Sequence, residues 1–378
     1  MTPVESAEGT ARRIRDALWG LACGEAVGRW AAAGGAVTAG GPARAGGWVE
    51  GAFRPGGDGP GGPDPSALEA GPLALEVAAL ARAVVAAEGQ VGPMAVGART
   101  VGTGLGPAVR AVLAGLINRP DDVEWLVQDV AALATGEGGT GAGLAGGPAA
   151  DERAPQQGGA GPVAAAALAA AAAVAAAVSA AVEGEGPEAV LDRAVTAASV
   201  AVGWAAPHPG QGGARRGDHP AAGTASRPRA APVPGDEPAA AVAHAIETLR
   251  LTLAGRGAAL PPGGIAAVLA SRWEPEPRPA RAVPFALVLA AAAGDARRAV
   301  LEAAAAASST ARPGNAELDG RPADAASATA ALAGAVAGAL YPGTVPAEWV
   351  AALREGSGGG SRAPLELDDL VPELLRLR

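Results

Sequence analysis

Few side chains in this sequence could do chemistry, and their spacing limits what that chemistry could be. His208 and His219 bracket the stretch HPGQGGARRGDH, and His244 follows. Three imidazoles with an aspartate form a donor set for zinc or iron. Their spacing matches no metal motif, however, and the proline-flanked pair reads as loop residues facing solvent. The single cysteine, Cys23, sits among apolar neighbours and has no assignable His or Asp partner, so it reads as a small buried hydrophobe. Ser308 and Ser309 lack the strand-turn-helix setting of a nucleophile elbow and are expected at a helix end. Asp121 and Asp122 read as the cap and dipole partner of the helix that follows, and Asp368 and Asp369 as a solvated face. Two glycine series, Gly102, Gly104, Gly106 and Gly139, Gly141, Gly143, follow no expected strand and precede no Lys-Ser/Thr pair, which assigns them to loops.

The elements that must position these residues are helical. In residues 11–28, Ile14, Leu18, Leu21 and Ala22 recur at helical spacing behind Thr10 as the expected N-cap. Residues 67–88 repeat the pattern through Leu73, Val77, Leu80 and Val84, with Gly89 as a stop. Further helices are expected over residues 107–118, 121–135, 162–182, 188–204, 239–254, 263–272, 284–293, 295–308, 323–340 and 347–355, and an apolar-acidic piece over 365–378 closes the sequence. Gly334 and Gly338, four residues apart, leave one helix face open to another backbone. Residues 162–182 are uncharged and long enough to span a bilayer, but alanine dominates and no aromatic or basic anchors flank them, which favours a buried soluble helix. No stretch alternates as a strand would.

Composition sets the packing style and the excluded classes. The 378 residues are 49% hydrophobic but only 3% aromatic, so helices must pack through Ala, Val and Leu at close range. With 57 Gly and 33 Pro, long irregular stretches are expected between helices. All 29 basic residues are arginine, scattered among 38 acids for a net charge of −9, which argues against a nucleic-acid partner. One cysteine excludes an intrachain disulfide, and the polar, acidic start lacks the features of a signal peptide. The expectation is a cytoplasmic protein with no membrane partner.

Several ordered segments resemble the ADP-ribosylglycohydrolase family, all-helical hydrolases that use two divalent metal ions to remove ADP-ribose from modified targets. RIRDALWGLACGEAVG (13–28) is similar to the family's opening helix, with Glu25 in place of its aspartate. ARAVPFALVLAAAAGDARRAVLEAAA (280–305) and SATAALAGAVAGALYPGTVPAEWVAAL (327–353) resemble the helices around its second metal motif. The closest match lies over 330–341, Val345, Pro346 and Trp349. GGAGPVAAAALAAAAAVAAAVS resembles its central helix start, and LELDDLVPELLRLR a closing segment.

The resemblance implies an all-α fold, a single orthogonal multi-helix domain over residues 11–354 with Gly/Pro-rich insertions at 34–66, 136–161, 205–238 and 311–323. A disordered start (1–10) would precede it, and a linker with a closing segment (355–378) would follow. It also implies an ADP-ribose or related nucleotide-sugar ligand and Mg²⁺ or Mn²⁺ as cofactor. The first metal motif, Thr-Asp-Asp-Thr in the family, corresponds to PDPSALEAGPLALEVAAL (63–80), which holds Asp64, Glu69 and Glu76 but no adjacent acid pair. The second, Asp-x-Asp-Thr, falls on Ala325, Ala326, Ser327 and Ala328, with Asp324 one residue away. The carboxylates left for catalysis are Glu25, Asp64, Glu69 and Asp324. The expectation is a largely lost dinuclear site with weak or absent hydrolysis; the alternative is a structural or regulatory protein that has kept only the fold.

Overall fold

The computed structural model describes residues 6–33, 63–89, 105–135, 162–205, 237–255, 264–273, 276, 278–309, 322–356 and 365–378. Every regular element among them is a helix. In chain order these are α1 (Ala7–Ala32), α2 (Pro72–Ala86), α3 (Gly106–Ile117), α4 (Val123–Thr135), α5 (Pro162–Val182), α6 (Pro187–Ala205) and α7 (Glu237–Ala254). They continue with α8 (Gly264–Ala270), α9 (Pro279–Ala293), α10 (Ala296–Ser309), α11 (Pro322–Leu340), α12 (Ala347–Glu355) and α13 (Val371–Leu377). Short 3₁₀ turns, Pro65–Ala67 and Asp368–Leu370, precede α2 and α13.

The expected helices are present, with shifted ends. α1 begins inside the 1–10 stretch expected to be disordered, because the Ser6 side chain accepts a hydrogen bond from the Gly9 N–H and caps the helix. Thr10 is therefore interior. α9 starts five residues before Pro284, which was expected to open it; Pro279 takes that first-turn place and Pro284 is carried inside the helix. The closing segment is part of the packed body, since α13 lies against α1, α2 and α3. Most of the expected insertions, with His208 and His219, lie outside the described residues.

The centre of the molecule is the antiparallel pair α1 and α11. Gly20, Gly24 and Gly28 fall on one face of α1, and Ala330, Gly334 and Gly338 on one face of α11. A methyl group on Gly20 would stand 2.1 Å from the Gly334 carbonyl oxygen, one on Gly24 2.2 Å from that of Ala330, and one on Gly338 2.1 Å from that of Asp16. The two backbones therefore touch with no side chain between them, as the four-residue glycine spacing anticipates. α3 meets α5 in the same way, with Gly115 against the Ala175 carbonyl.

α5 lies inside a layer formed by α3, α4, α6, α7, α9 and α11. Its window Ala165–Val182 is the only one among the described residues long and apolar enough to cross a membrane, and 83% of it is buried within the fold, as a core helix requires.

Candidate functional site

The segment of α1 from Gly24 to Gly28 lies between the starts of two other helices. Gly24 and Gly28 press on Ala330 and Ser327 in the first half of α11. Glu25, on the adjoining face, has no solvent exposure, and its two carboxylate oxygens accept hydrogen bonds from the backbone N–H groups of Leu73 (2.9 Å) and Ala74 (2.7 Å). Those are among the first amides of α2, which have no partner inside their own helix. The helix-opening residue, Gly71, has no side chain to offer them. A methyl there would lie 2.0 Å from Glu25 Oε1, so a glycine at 71 is what admits the carboxylate. Glu25 thus serves α2 as a cap supplied from another helix, and its charge faces the positive end of the α2 dipole.

The other expected carboxylates are placed differently. Asp64 is exposed and caps the turn Pro65–Ala67, accepting from the amide (2.9 Å) and the hydroxyl (2.8 Å) of Ser66. Those two bonds hold its carboxyl below the ordinary aspartate range. Glu69 is exposed. Asp324 is partly buried in the first turn of α11, where its carbonyl accepts from the Ser327 hydroxyl (2.9 Å). Ala325, Ala326, Ser327 and Ala328, the positions expected from the resemblance to fall on a second metal motif, are all buried, and Ser327 has its Cα 2.5 Å from the position a Gly28 methyl would take. That part of α11 is a packing surface.

These residues do not fit a pair of divalent cations. Hard cations need converging oxygen donors. Here the one deeply buried carboxylate of the four points at backbone amides, one is turned onto its own loop, and the motif positions on α11 carry methyl and hydroxymethyl groups. Among the described residues no three His, Cys, Asp or Glu side chains come together to hold a metal ion. His244 is exposed on α7, beside Thr248.

Cys23 is fully buried, and burial, helped by the nearby Glu348 charge, pushes its thiol far above the usual range, so it is a packing residue. Asp368 does not lie on an idle solvated face. It accepts from Trp19 Nε1 at 3.3 Å and pairs with Arg15 at 3.1 Å and with Arg354, which ties the closing segment to α1 and α12.

Three buried ionic features escaped sequence reasoning. Glu302 on α10 repeats the Glu25 arrangement: it accepts from Ala266 N–H (2.7 Å) at the start of α8 and pairs with Arg298 at 2.7 Å. Gly264, at φ +75°, leaves room for it. Arg110, the lone charge in GPAVRAVLAGLI, is 1% exposed, pairs with Glu76 of α2 at 3.2 Å and donates to the Leu133 carbonyl at 2.8 Å. The Arg378 side chain is buried and donates to the carbonyls of Gly115, Leu116, Asn118 and Ser179 at 2.7–3.1 Å, and to Glu183 at 2.9 Å. A single charge within an apolar run was the available clue for Arg110 and Glu302. Nothing local marks Arg378.

No protein-family model matches the chain. No curated protein matches it either.

Proposed function

We propose that this chain is an ADP-ribosylglycohydrolase-like helical protein that has given up metal-assisted hydrolysis and, where it retains a ligand, binds an ADP-ribosyl or related nucleotide-sugar group without a metal. The reading of kind rests on the order of segments that resemble that family. The reading of activity rests on one observation: Glu25, the acid of the opening helix, is sealed from solvent with both oxygens held by the Leu73 and Ala74 amides. A carboxylate held in that way is not available to orient water or a cation. Alanine and serine at Ala325 and Ser327 support the same reading, because neither supplies a carboxylate oxygen.

The test has two arms. Release of ADP-ribose from ADP-ribosyl-arginine is measured at high protein concentration with Mg²⁺ or Mn²⁺ and again with a chelator. The expected result is no turnover above the uncatalysed background in either condition. Metal-dependent turnover would overturn the loss of hydrolysis. In the second arm, thermal unfolding is followed with ADP-ribose at millimolar concentration, and a stabilising shift of equal size with and without chelator is expected. A flat response would discard ligand binding and leave the second reading, a structural or regulatory protein that keeps only the fold. The burial of Glu25 and Glu302 as helix caps favours that alternative over an enzyme, because both acids are used in holding helices in place.

A further inference from the structure

The large exposed apolar side chains among the described residues are few, and the two most exposed stand one turn from Asp121 and from Glu247, acids of two ion clusters that meet at the neighbouring residues Asp192 and Arg193 of α6. Trp125, in the first turn of α4, is 64% exposed, and Leu251, near the end of α7, is 67% exposed. Between them lies the start of α6. Arg193 of α6 pairs with Asp121, just before α4, and with Glu185, both within about 3.1 Å. Its neighbour Asp192, together with Glu188, pairs with Arg250 of α7, which also reaches Glu247 at 3.9 Å. Two carboxylates meet Arg193 and three meet Arg250, so the two clusters together keep a surplus of negative charge. The exposed Asp122 and Glu124 add to it beside Trp125. Leu251 stands one turn beyond Glu247 on α7, so it shares a face with an acid of the Arg250 cluster.

Scattered apolar residues need no explanation, but two large ones at the borders of one acidic face form a surface with both a desolvation term and a charge term. We propose that this face, made by the start of α4, the start of α6 and the end of α7, docks a basic amphipathic segment of a partner protein. Arginine or lysine side chains of the segment meet Glu188, Asp192, Asp121 and Glu124, and apolar side chains cover Trp125 and Leu251. The two arginines that reach these acids, Arg193 and Arg250, are already occupied by them, so the charge left over for a partner is negative. Opposed charge sets the partner's sign and speeds encounter, while the aromatic anchor supplies the contact that persists in salt.

The test uses the full chain and a fluorescein-labelled synthetic helix with arginines on one face and leucines on the other, against a counterpart with glutamate at every arginine position. Fluorescence anisotropy is expected to show binding of the basic peptide only. The double variant Trp125→Ala/Leu251→Ala, which leaves the charge unchanged, is expected to weaken it at least tenfold, and Glu188→Gln/Asp192→Asn to weaken it mainly at low salt. Both pairs of positions are solvent-facing, and circular dichroism confirms that each variant keeps its helix content. Equal affinity in the Trp125/Leu251 variant, or equal binding of the acidic counterpart, would overturn the proposal. So would sedimentation showing a dimer of the parent chain that this variant dissociates, because the occupant would then be a second copy.

Discussion

The charged residues of this protein serve two purposes, and burial separates them. On the surface they form clusters such as those around Arg193 and Arg250. Inside they close helix ends: Glu25 and Glu302 meet first-turn amides, while Arg13 donates to the carbonyls of Ala339 and Leu340 at the end of α11. An acid at the positive end and a base at the negative end both gain from the helix dipole and satisfy orphan groups that alanine and glycine cannot reach. Asp129 is a contrasting case. Burial pushes its carboxyl above the ordinary aspartate range, against a lowering hydrogen bond from Asn118 Nδ2. The folded state then holds a proton that the unfolded chain has released, in the window from about pH 4 up to the raised folded value, so stability falls as pH rises through that window. Asp129→Asn removes the titration and can still accept from Asn118. In urea unfolding the variant is expected to gain on the parent between about pH 4 and pH 7, whereas a pH-independent difference would count against the assignment.

At the scale of elements, the α1–α11 contact makes the sharpest prediction. Gly334→Ala places a methyl 2.1 Å from the Gly20 carbonyl oxygen, and backbone cannot swing aside as a side chain can. The helices must separate along their length, at an expected cost of about 3 kcal/mol in chemical denaturation. Gly203→Ala, inside α6, where an added methyl meets nothing within 4 Å, is the matched control and should be near neutral or slightly stabilising. The sequence made this contact readable in half, because the spacing of Gly334 and Gly338 announced an open face without saying which helix fills it. Helix existence was legible throughout, since periodicity in Ile14, Leu18 and Leu21 or in Val77, Leu80 and Val84 is local. Helix ends were less legible: Ser6, not Thr10, caps α1 because the competition between two hydroxyl residues one helical turn apart is decided by where the chain enters. The role of Glu25 was hidden for a stronger reason. Its partners are 48 and 49 residues away, and a carboxylate that caps a distant helix looks the same in sequence as one that activates water.

For the molecule as a whole, the closing segment does more than its length suggests. The Arg378 guanidinium sits where α3 ends and α5 nears its end, and it is served by four carbonyls and Glu183. Burial, with a smaller push from the nearby Arg119 charge, lowers its pKa, and Glu183 opposes that loss. Arg378→Ala would take its donor from the Gly115 and Leu116 carbonyls, while the Asn118 carbonyl keeps the Ser179 hydroxyl and the Ser179 carbonyl keeps the Glu183 N–H, and it is expected to cost about 3 kcal/mol, read as a lower unfolding midpoint with an unchanged denaturant slope. Arg378→Lys should recover only part of this, because one ammonium cannot span two helix ends as a planar guanidinium does. The all-helical class was legible from composition and period; the dependence of two central helices on a residue 199 and more positions away was not.

The glycine contact between α1 and α11 also sets an order of events during synthesis. About 290 residues separate the end of α1 from the start of α11. At ribosomal speeds of about 5–20 residues per second, α1 waits roughly 15–60 s before its partner helix exists. Throughout that interval its bare backbone face is open to any other small-residue helix, including α3 and α5, which emerge sooner. The final arrangement therefore depends on α11 displacing earlier neighbours or on α1 staying unengaged, and chaperone demand should concentrate in that interval.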